Sequence, residues 1–378
     1  MNTWLAHESN RGYVFHDFAW QDHHYPWNIE KLRLRNGGWI PNTPLNALVS
    51  GPSAGGSWEV GDPAPRSISE GWFDIVCPKE ERKIINARDV KSNIYWADGR
   101  VIFDTWRRIL ADAPERCIEV VAASASTDSG EGISPETFDL LFWSGNRSLS
   151  LWEDFVKSPV SRLLVTSPVV QAVVDANIRL FQRPLSLVPF LDMSPSAKTT
   201  KDPFSKVMAI HVRRGDFKQA CIDYAAQNFT FYSWNLLPIF SDPFALPSMD
   251  PENVETSRAN YQQAYLERCL PDADHISRTV HQARKDYLRG MGASRGLGRT
   301  APALDVLYIM SNDNTPWLDN LKARFQMEGW SKVITNRDLR LSSEGKEVSV
   351  AVDMEFGRRA AVFVGNGVRS PFQCPSPS

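Results

Sequence analysis

The sequence predicts an α/β protein with two lobes and a cleft between them, and three observations predict it. The chain has 378 residues, more than one ordinary core accommodates and suited to two domains of roughly 150 to 200 residues each. Its second half alternates short apolar runs with segments of helical periodicity, the pattern of a parallel sheet covered by helices. A polar run over 194–201 separates the halves, giving an N-terminal lobe, 1–193, and a Rossmann-like C-terminal lobe, 202–378. Apolar residues make up 42% and charged residues 23%, which excludes a mostly disordered chain. The formal net charge of −2 supplies no global field toward nucleic acid or anionic membrane, so any anion site must be local.

In the first lobe the chain enters a helix at Trp4 and Leu5, an abrupt start that predicts a further strand, and a possible membrane anchor, upstream of Met1. Short apolar runs bounded by polar residues predict strands at 13–15, 72–77, 117–122 and 138–143. The long Trp-, Gly- and Pro-rich segment 20–66, with Gly51-Pro52-Ser53-Ala54-Gly55-Gly56, reads as a lid or binding loop. Helical periodicity follows at 168–181. In the second lobe strands are predicted at 207–212, 306–310, 332–335 and 361–364, and helices at 276–288, 316–326 and 348–359.

No apolar stretch reaches the length of a membrane span and no signal peptide precedes Trp4. The five cysteines lack the paired short spacing of a zinc site. Cys221 and Cys269 flank one stretch and can close it as a disulfide, a pairing that requires an oxidising compartment. The tripeptides Asn146-Arg147-Ser148 and Asn228-Phe229-Thr230 fit a secretory route.

Two motifs carry chemistry. The strand at 207–212 delivers Arg213, Arg214, Gly215 and Asp216 into a turn, which makes a local anion site. A guanidinium fork binds two phosphate oxygens at once, and glycine lets backbone approach the ligand. Asp216 can hold one guanidinium, and His211 can add a hydrogen bond. The competing reading is an ordinary turn with an Arg214–Asp216 ion pair. Further on, Asp353 lies on a predicted helix, and the strand before Gly365-Asn366-Gly367 runs into a glycine turn. A carboxylate there can accept two N–H bonds from a purine edge, and the backbone N–H groups after the turn can cradle phosphate.

Together, Ala209-Ile210-His211-Val212-Arg213-Arg214-Gly215-Asp216-Phe217, Val352-Asp353-Met354 and Ala360-Ala361-Val362-Phe363-Val364-Gly365-Asn366-Gly367 resemble the GDP-fucose protein O-fucosyltransferase superfamily, most of all its fungal members. Val306-Leu307-Tyr308-Ile309-Met310-Ser311-Asn312-Asp313 resembles the family's donor-side strand and loop. The resemblance covers 207–367 well and the first lobe weakly. It implies a GT-B-like architecture, a GDP-fucose donor bound by the C-terminal lobe, a protein Ser/Thr or glycan acceptor on the N-terminal lobe, no metal and no other cofactor. It also implies a location in the endoplasmic reticulum or Golgi lumen. By position, Arg213 would bind the diphosphate and stabilise leaving GDP, supported by Arg214 and Asp216. His211 and Asp353 would hold the nucleotide, with Asp353 at the guanine edge, and Gly365, Asn366, Gly367 and Ser370 would meet phosphate. The family's glycine- and asparagine-rich first loop is absent, and Val368-Arg369-Ser370-Pro371-Phe372 departs from its small hydroxyl residues. A non-catalytic GDP-sugar-binding protein on the same fold therefore stays open as the alternative.

Two other patterns are read as incidental. Gly292-Ala293-Ser294-Arg295-Gly296-Leu297-Gly298-Arg299 mimics a dinucleotide loop but follows a helical pattern instead of a strand, and reads as a basic loop. Asp272-Ala273-Asp274 has metal-pair spacing but opens a helix, where acids stabilise the N-terminus.

Overall fold

A computed structural model shows a mixed α/β chain with small parallel sheets. It describes all residues except 21–23, 37–40, 95, 122–136, 139, 144–145, 183–201, 216, 228–232, 240–246, 249, 295–303 and 366–378. The chain forms two compact units. Unit 1 comprises Met1–Gln171, Tyr232–Leu236 and Ser343–Ala351; unit 2 comprises Ala172–Phe231, Leu237–Ser342 and Val352–Ser378.

Unit 1 opens with helix α1 (Asn2–Glu8), whose Trp4 and Leu5 are buried. Strand β1 (Arg82–Asn86) pairs in parallel with β2 (Cys117–Val121), and between them runs helix α2 (Gly99–Asp112). Asp98 caps α2 by accepting the Arg100 N–H at 2.9 Å. Ile102, Phe103 and Trp106 then fall on one face and enter a core with Trp4, Phe138 and Phe142.

Two predicted strands of this unit are not strands. Residues 72–77 lie in a helix, Glu70–Val76, followed by Cys77. Its aromatic and β-branched residues favour a strand intrinsically, but Arg82 overrides them. That guanidinium sits 4.4 Å over the Phe73 ring, donates to the Cys77 carbonyl at 2.7 Å and pairs with Asp74, partners that a helical turn brings together, and it also pairs with Glu119 of β2. The described part of 138–143 is a 3-10 turn, Leu140–Trp143. Here the i, i+4 spacing of Phe138 and Phe142 brings their rings within 5.0 Å in the core. The segment 20–66 contains short elements, among them helices Ile29–Asn36 and Leu45–Leu48 and the 3-10 turn Pro52–Ala54.

Helix α3 (Pro168–Asn177) is followed by a 3-10 turn, Ile178–Phe181. Unit 2 is then built on four parallel strands, β3 (Val207–His211), β4 (Val306–Met310), β5 (Lys332–Thr335) and β6 (Val362–Val364). The helices between them are α4 (Phe217–Ala226), α5 (Val254–Cys269), α6 (Ala273–Ser294), α7 (Pro316–Met327) and α8 (Ser349–Arg359). Helix α6 runs through Ser294, so the first residues of the 292–299 segment are helical and not loop; 295–299 lie outside the described residues.

The strand order is β5-β4-β3-β6. Met208, Ile210, Leu307, Ile309 and Val333 face one side, where Ile276 and Val280 of α6 and Leu318, Leu321 and Phe325 of α7 cover them. The other side carries Tyr308, whose ring lies 5.3 Å from Phe356 of α8 and 5.4 Å from Phe181. The sheet is thus covered on both faces, as a parallel sheet requires.

Disulfides join Cys77 to Cys117 and Cys221 to Cys269. The sequence reading singled out only the second. It links α4 to α5 inside a small core with Ala225, Tyr261 and Tyr265. Closing 48 residues constrains the unfolded chain by about 4 kcal/mol at most. Replacing Cys221 and Cys269 together with serine is expected to lower stability by about 2–4 kcal/mol in chemical denaturation, and non-reducing peptide mapping of the native protein to recover both pairs. Full native stability in the double variant would show that helix packing alone holds this element.

Candidate nucleotide site

The order β5-β4-β3-β6 places a topological switch between β3 and β6. From β3 the chain moves outward through β4 to β5, then returns to the opposite edge of β3 as β6. The covering helices change face at the same point, α6 and α7 on one side and α8 on the other. Loops leaving two such strands diverge and open a crevice beyond their carboxyl ends, where ligands of this architecture bind. The sequence delivers Val212-Arg213-Arg214-Gly215 to that edge from β3 and Gly365 from β6.

β3 has hydrogen-bonded partners on both edges and no exposed side chain from Val207 to Ile210. Val212 continues the ladder by donating to the Met310 carbonyl at 2.8 Å. The chain then turns. Gly215 has φ of +65°, in the left-handed region that favours glycine, and Phe217 begins α4. The turn is fixed from β4, because the Asn312 side-chain oxygen accepts the Arg214 N–H at 3.0 Å.

The two adjacent arginines diverge. The Arg214 guanidinium stacks 4.0 Å over the Trp317 ring and donates to the Pro271 carbonyl at 2.8 Å, so it ties the turn to the start of α6 and α7. Burial lowers its pKa, opposed by Asp313 and Asp272. Arg213 meets a different ring, its guanidinium 5.1 Å from the centre of the Phe217 ring. It is also the charge that acts on His211. The imidazole at the end of β3 has surface exposed to solvent, yet partial burial and then Arg213 hold its pKa below the usual histidine value. At neutral pH it is an uncharged hydrogen-bonding group.

Asp353 comes from α8, on the face of the sheet that carries Tyr308. Its carboxylate accepts the Tyr308 hydroxyl hydrogen bond. Tyr308 is fully buried, and a buried phenol needs such an acceptor. Strand alternation and the register Tyr308↔Ala209 and Met310↔His211 put His211 on this same face, two residues nearer the carboxyl edge. Burial raises the Asp353 pKa to about 6, with the Tyr308 hydrogen bond pulling it back. Gly357 lets α8 approach β6, since a Cβ there would meet the Phe363 ring at 3.2 Å.

His211, Arg213 and Gly365 thus sit at the switch-point edge, Asp353 stands on the same face as His211, and Arg214 braces the turn from the flank. Asp216, Asn366, Gly367 and Ser370 lie outside the described residues. Tyr308 and Asn312 lie in the segment that the resemblance puts on the donor side, but the sequence gives neither a role, and Trp317 was not among the predicted site residues. The signal for Tyr308 was a phenol in an otherwise apolar strand. The acids with metal-pair spacing are engaged locally: Asp272 accepts the His275 N–H at 2.7 Å at the start of α6, and Asp274 pairs with Arg324. Among the described residues, no three His, Cys, Asp or Glu side chains converge as a metal site. No protein-family model matches the chain, and no curated protein matches it.

The raised pKa of Asp353 has a stability consequence. Below about 3.8 the carboxyl is protonated in both folded and unfolded chains and has no effect. Between that value and about 6 only the unfolded chain releases its proton, so stability falls as pH rises; above about 6 the full cost of the buried charge persists. Asp353→Asn keeps an acceptor for Tyr308 without the charge. It is expected to raise Tm at pH 7.5 by about 2 to 6 °C, for roughly 1–2 kcal/mol, with no gain at pH 4. A variant less stable than the parent at pH 7.5 would contradict this electrostatic reading.

Proposed function

We propose that the chain is a GT-B-like glycosyltransferase that takes GDP-fucose as donor in unit 2, without a metal, and passes fucose to a protein Ser/Thr or to a glycan. The observation that carries the reading is the arrival of Arg213 and the Gly215 turn at the switch point between β3 and β6. A departing diphosphate accumulates negative charge, and a fixed guanidinium stabilises it without proton transfer. His211, neutral at physiological pH, and the ionised Asp353 supply an uncharged and an acidic hydrogen-bonding group on one face, a set suited to the ribose and the guanine edge. Tyr308 orients the carboxylate for that role. The two disulfides support folding in an oxidising compartment, which agrees with an endoplasmic reticulum or Golgi lumen. Among the described residues, no helix is long and apolar enough to cross a membrane.

The divergence of the arginines separates two effects. Arg213→Ala is expected to weaken GDP or GDP-fucose binding about thirtyfold, the worth of roughly 2 kcal/mol for a charge-assisted contact. Arg214→Ala is expected to lower the Tm of the free protein and to weaken binding less. Thermal shift and calorimetric titration measure both. An unchanged GDP affinity in Arg213→Ala, or no response of the parent protein to GDP or GDP-fucose, would overturn the proposal. Transfer of radiolabelled fucose from GDP-fucose then distinguishes the enzyme from a non-catalytic GDP-sugar-binding protein, the reading that the missing glycine- and asparagine-rich loop favours.

A further inference from the structure

Unit 1 holds a pocket of about 780 Å³, within the range of small-molecule sites. Its walls start at the carboxyl ends of two short parallel strands, Val14–Phe15 and Ile68–Ser69, which pair residue for residue. Beyond them the chain supplies His16 and Asp17 from one strand, and Glu70, Gly71 and Trp72 from the other. A third side is formed by Ala54 and Gly55 of the glycine-rich segment 51–56. Gly51 and Gly55 both have left-handed φ, +104° and +83°, and bracket the turn Pro52–Ala54. A Cβ on Gly51 would stand 2.3 Å from the Leu163 carbonyl oxygen, so only glycine fits there. At Gly55 a Cβ would contact the Ser67 carbonyl and the Phe15 ring, and its absence keeps the pocket wall flat.

We propose that this pocket binds a neutral saccharide. Two features of the lining select that class. The first is charge: among the described residues the lining contains Asp17 and Glu70 and no lysine or arginine, which disfavours phosphates and nucleotides. The second is the pairing of an aromatic face with planar polar groups. Trp72 leaves 61% of its surface exposed and offers a flat ring to the C–H face of a sugar. Asn42 and Asn46 combine donors and acceptors that match vicinal hydroxyls, and Asp17 adds acceptors. His16 Nδ1 lies 2.9 Å from Glu70 Oε2, which fixes the imidazole and engages one of the two carboxylates. A cationic ligand would need a cage of several aromatic faces, and among the described lining residues one exposed tryptophan accompanies a carboxylate already engaged by histidine. As the acceptor site of a glycosyltransferase the pocket rests on the function proposed above; as a saccharide site it stands on its own lining.

Saturation-transfer NMR and calorimetric titration of the whole chain with diacetylchitobiose, mannobiose and lactose test it, with choline as the cationic comparator. At least one disaccharide is expected to bind with a millimolar or lower Kd. Trp72→Ala is expected to weaken it by about tenfold or more, the scale of a stacking contact, as is Asn42→Ala. Ile75→Ala, on the same helix, 67% exposed and outside the pocket, is expected to leave binding unchanged. No binding of any of the three, binding indifferent to Trp72 and Asn42, or choline binding more tightly at the same residues would overturn the proposal. GDP thermal shift measured in parallel separates the two readings. A response to GDP without saccharide binding overturns this site alone, and saccharide binding without a response to GDP overturns the donor reading and supports this one.

Discussion

A strand paired on both edges and buried on both faces has no place along its length for a charge. This constraint governs unit 2. Val207 to Ile210 satisfy it with a continuous apolar run, so the polar residues that follow are released together at one end. Because β6 returns to the free edge of β3, that end is also where the sheet's helices change sides. The position of Arg213 is therefore a consequence of chain order as much as of its own chemistry. Its neighbour Arg214 shows the other half of the constraint. It leaves the strand toward the α7 flank, where Trp317 and the Pro271 carbonyl take up its charge and hold the turn rigid.

Much of unit 2 was legible because each buried strand reads as an unbroken apolar run, and each helix between them as a repeat at three and four residues. β4, β5 and α7 coincide with their predicted spans to within a residue. The first half was less legible, since tertiary contacts decide its local structure. Glu70–Val76 contains strand-forming residues and folds as a helix under Arg82, and Phe138 with Phe142 forms a turn because both rings enter one core. Helix α2 carried a readable signal, the Asp98 cap followed by Ile102, Phe103 and Trp106, that the sequence reading passed over. In the candidate site, Asp353 was legible as a carboxylate on a predicted helix just before the strand that ends in the glycine turn. Its partner Tyr308 was not, because the pairing depends on α8 lying across β4.

Asp353 illustrates a conflict between stability and chemistry. A carboxylate largely buried beside a tyrosine in an aromatic layer is an expensive element of a core, and its pKa rises to about 6 as a result. Asparagine would satisfy Tyr308 at lower cost. A destabilising residue persists where its charge serves something else, and an ionised acid on the sheet face that also carries His211 is suited to an N–H-bearing ligand. Unit 1 shows a comparable division of labour: Cys77–Cys117 secures the β1–β2 pair, while the glycine-rich turn at 51–56 gives up side chains to form a pocket wall.

The most direct test of the switch-point assignment is a crystal structure of the chain with GDP bound. The expected result is diphosphate oxygens about 3 Å from the Arg213 guanidinium, between the carboxyl ends of β3 and β6, with the base toward Asp353. GDP seated elsewhere in the chain, or seated at this edge with Arg213 turned away from it, would contradict the assignment.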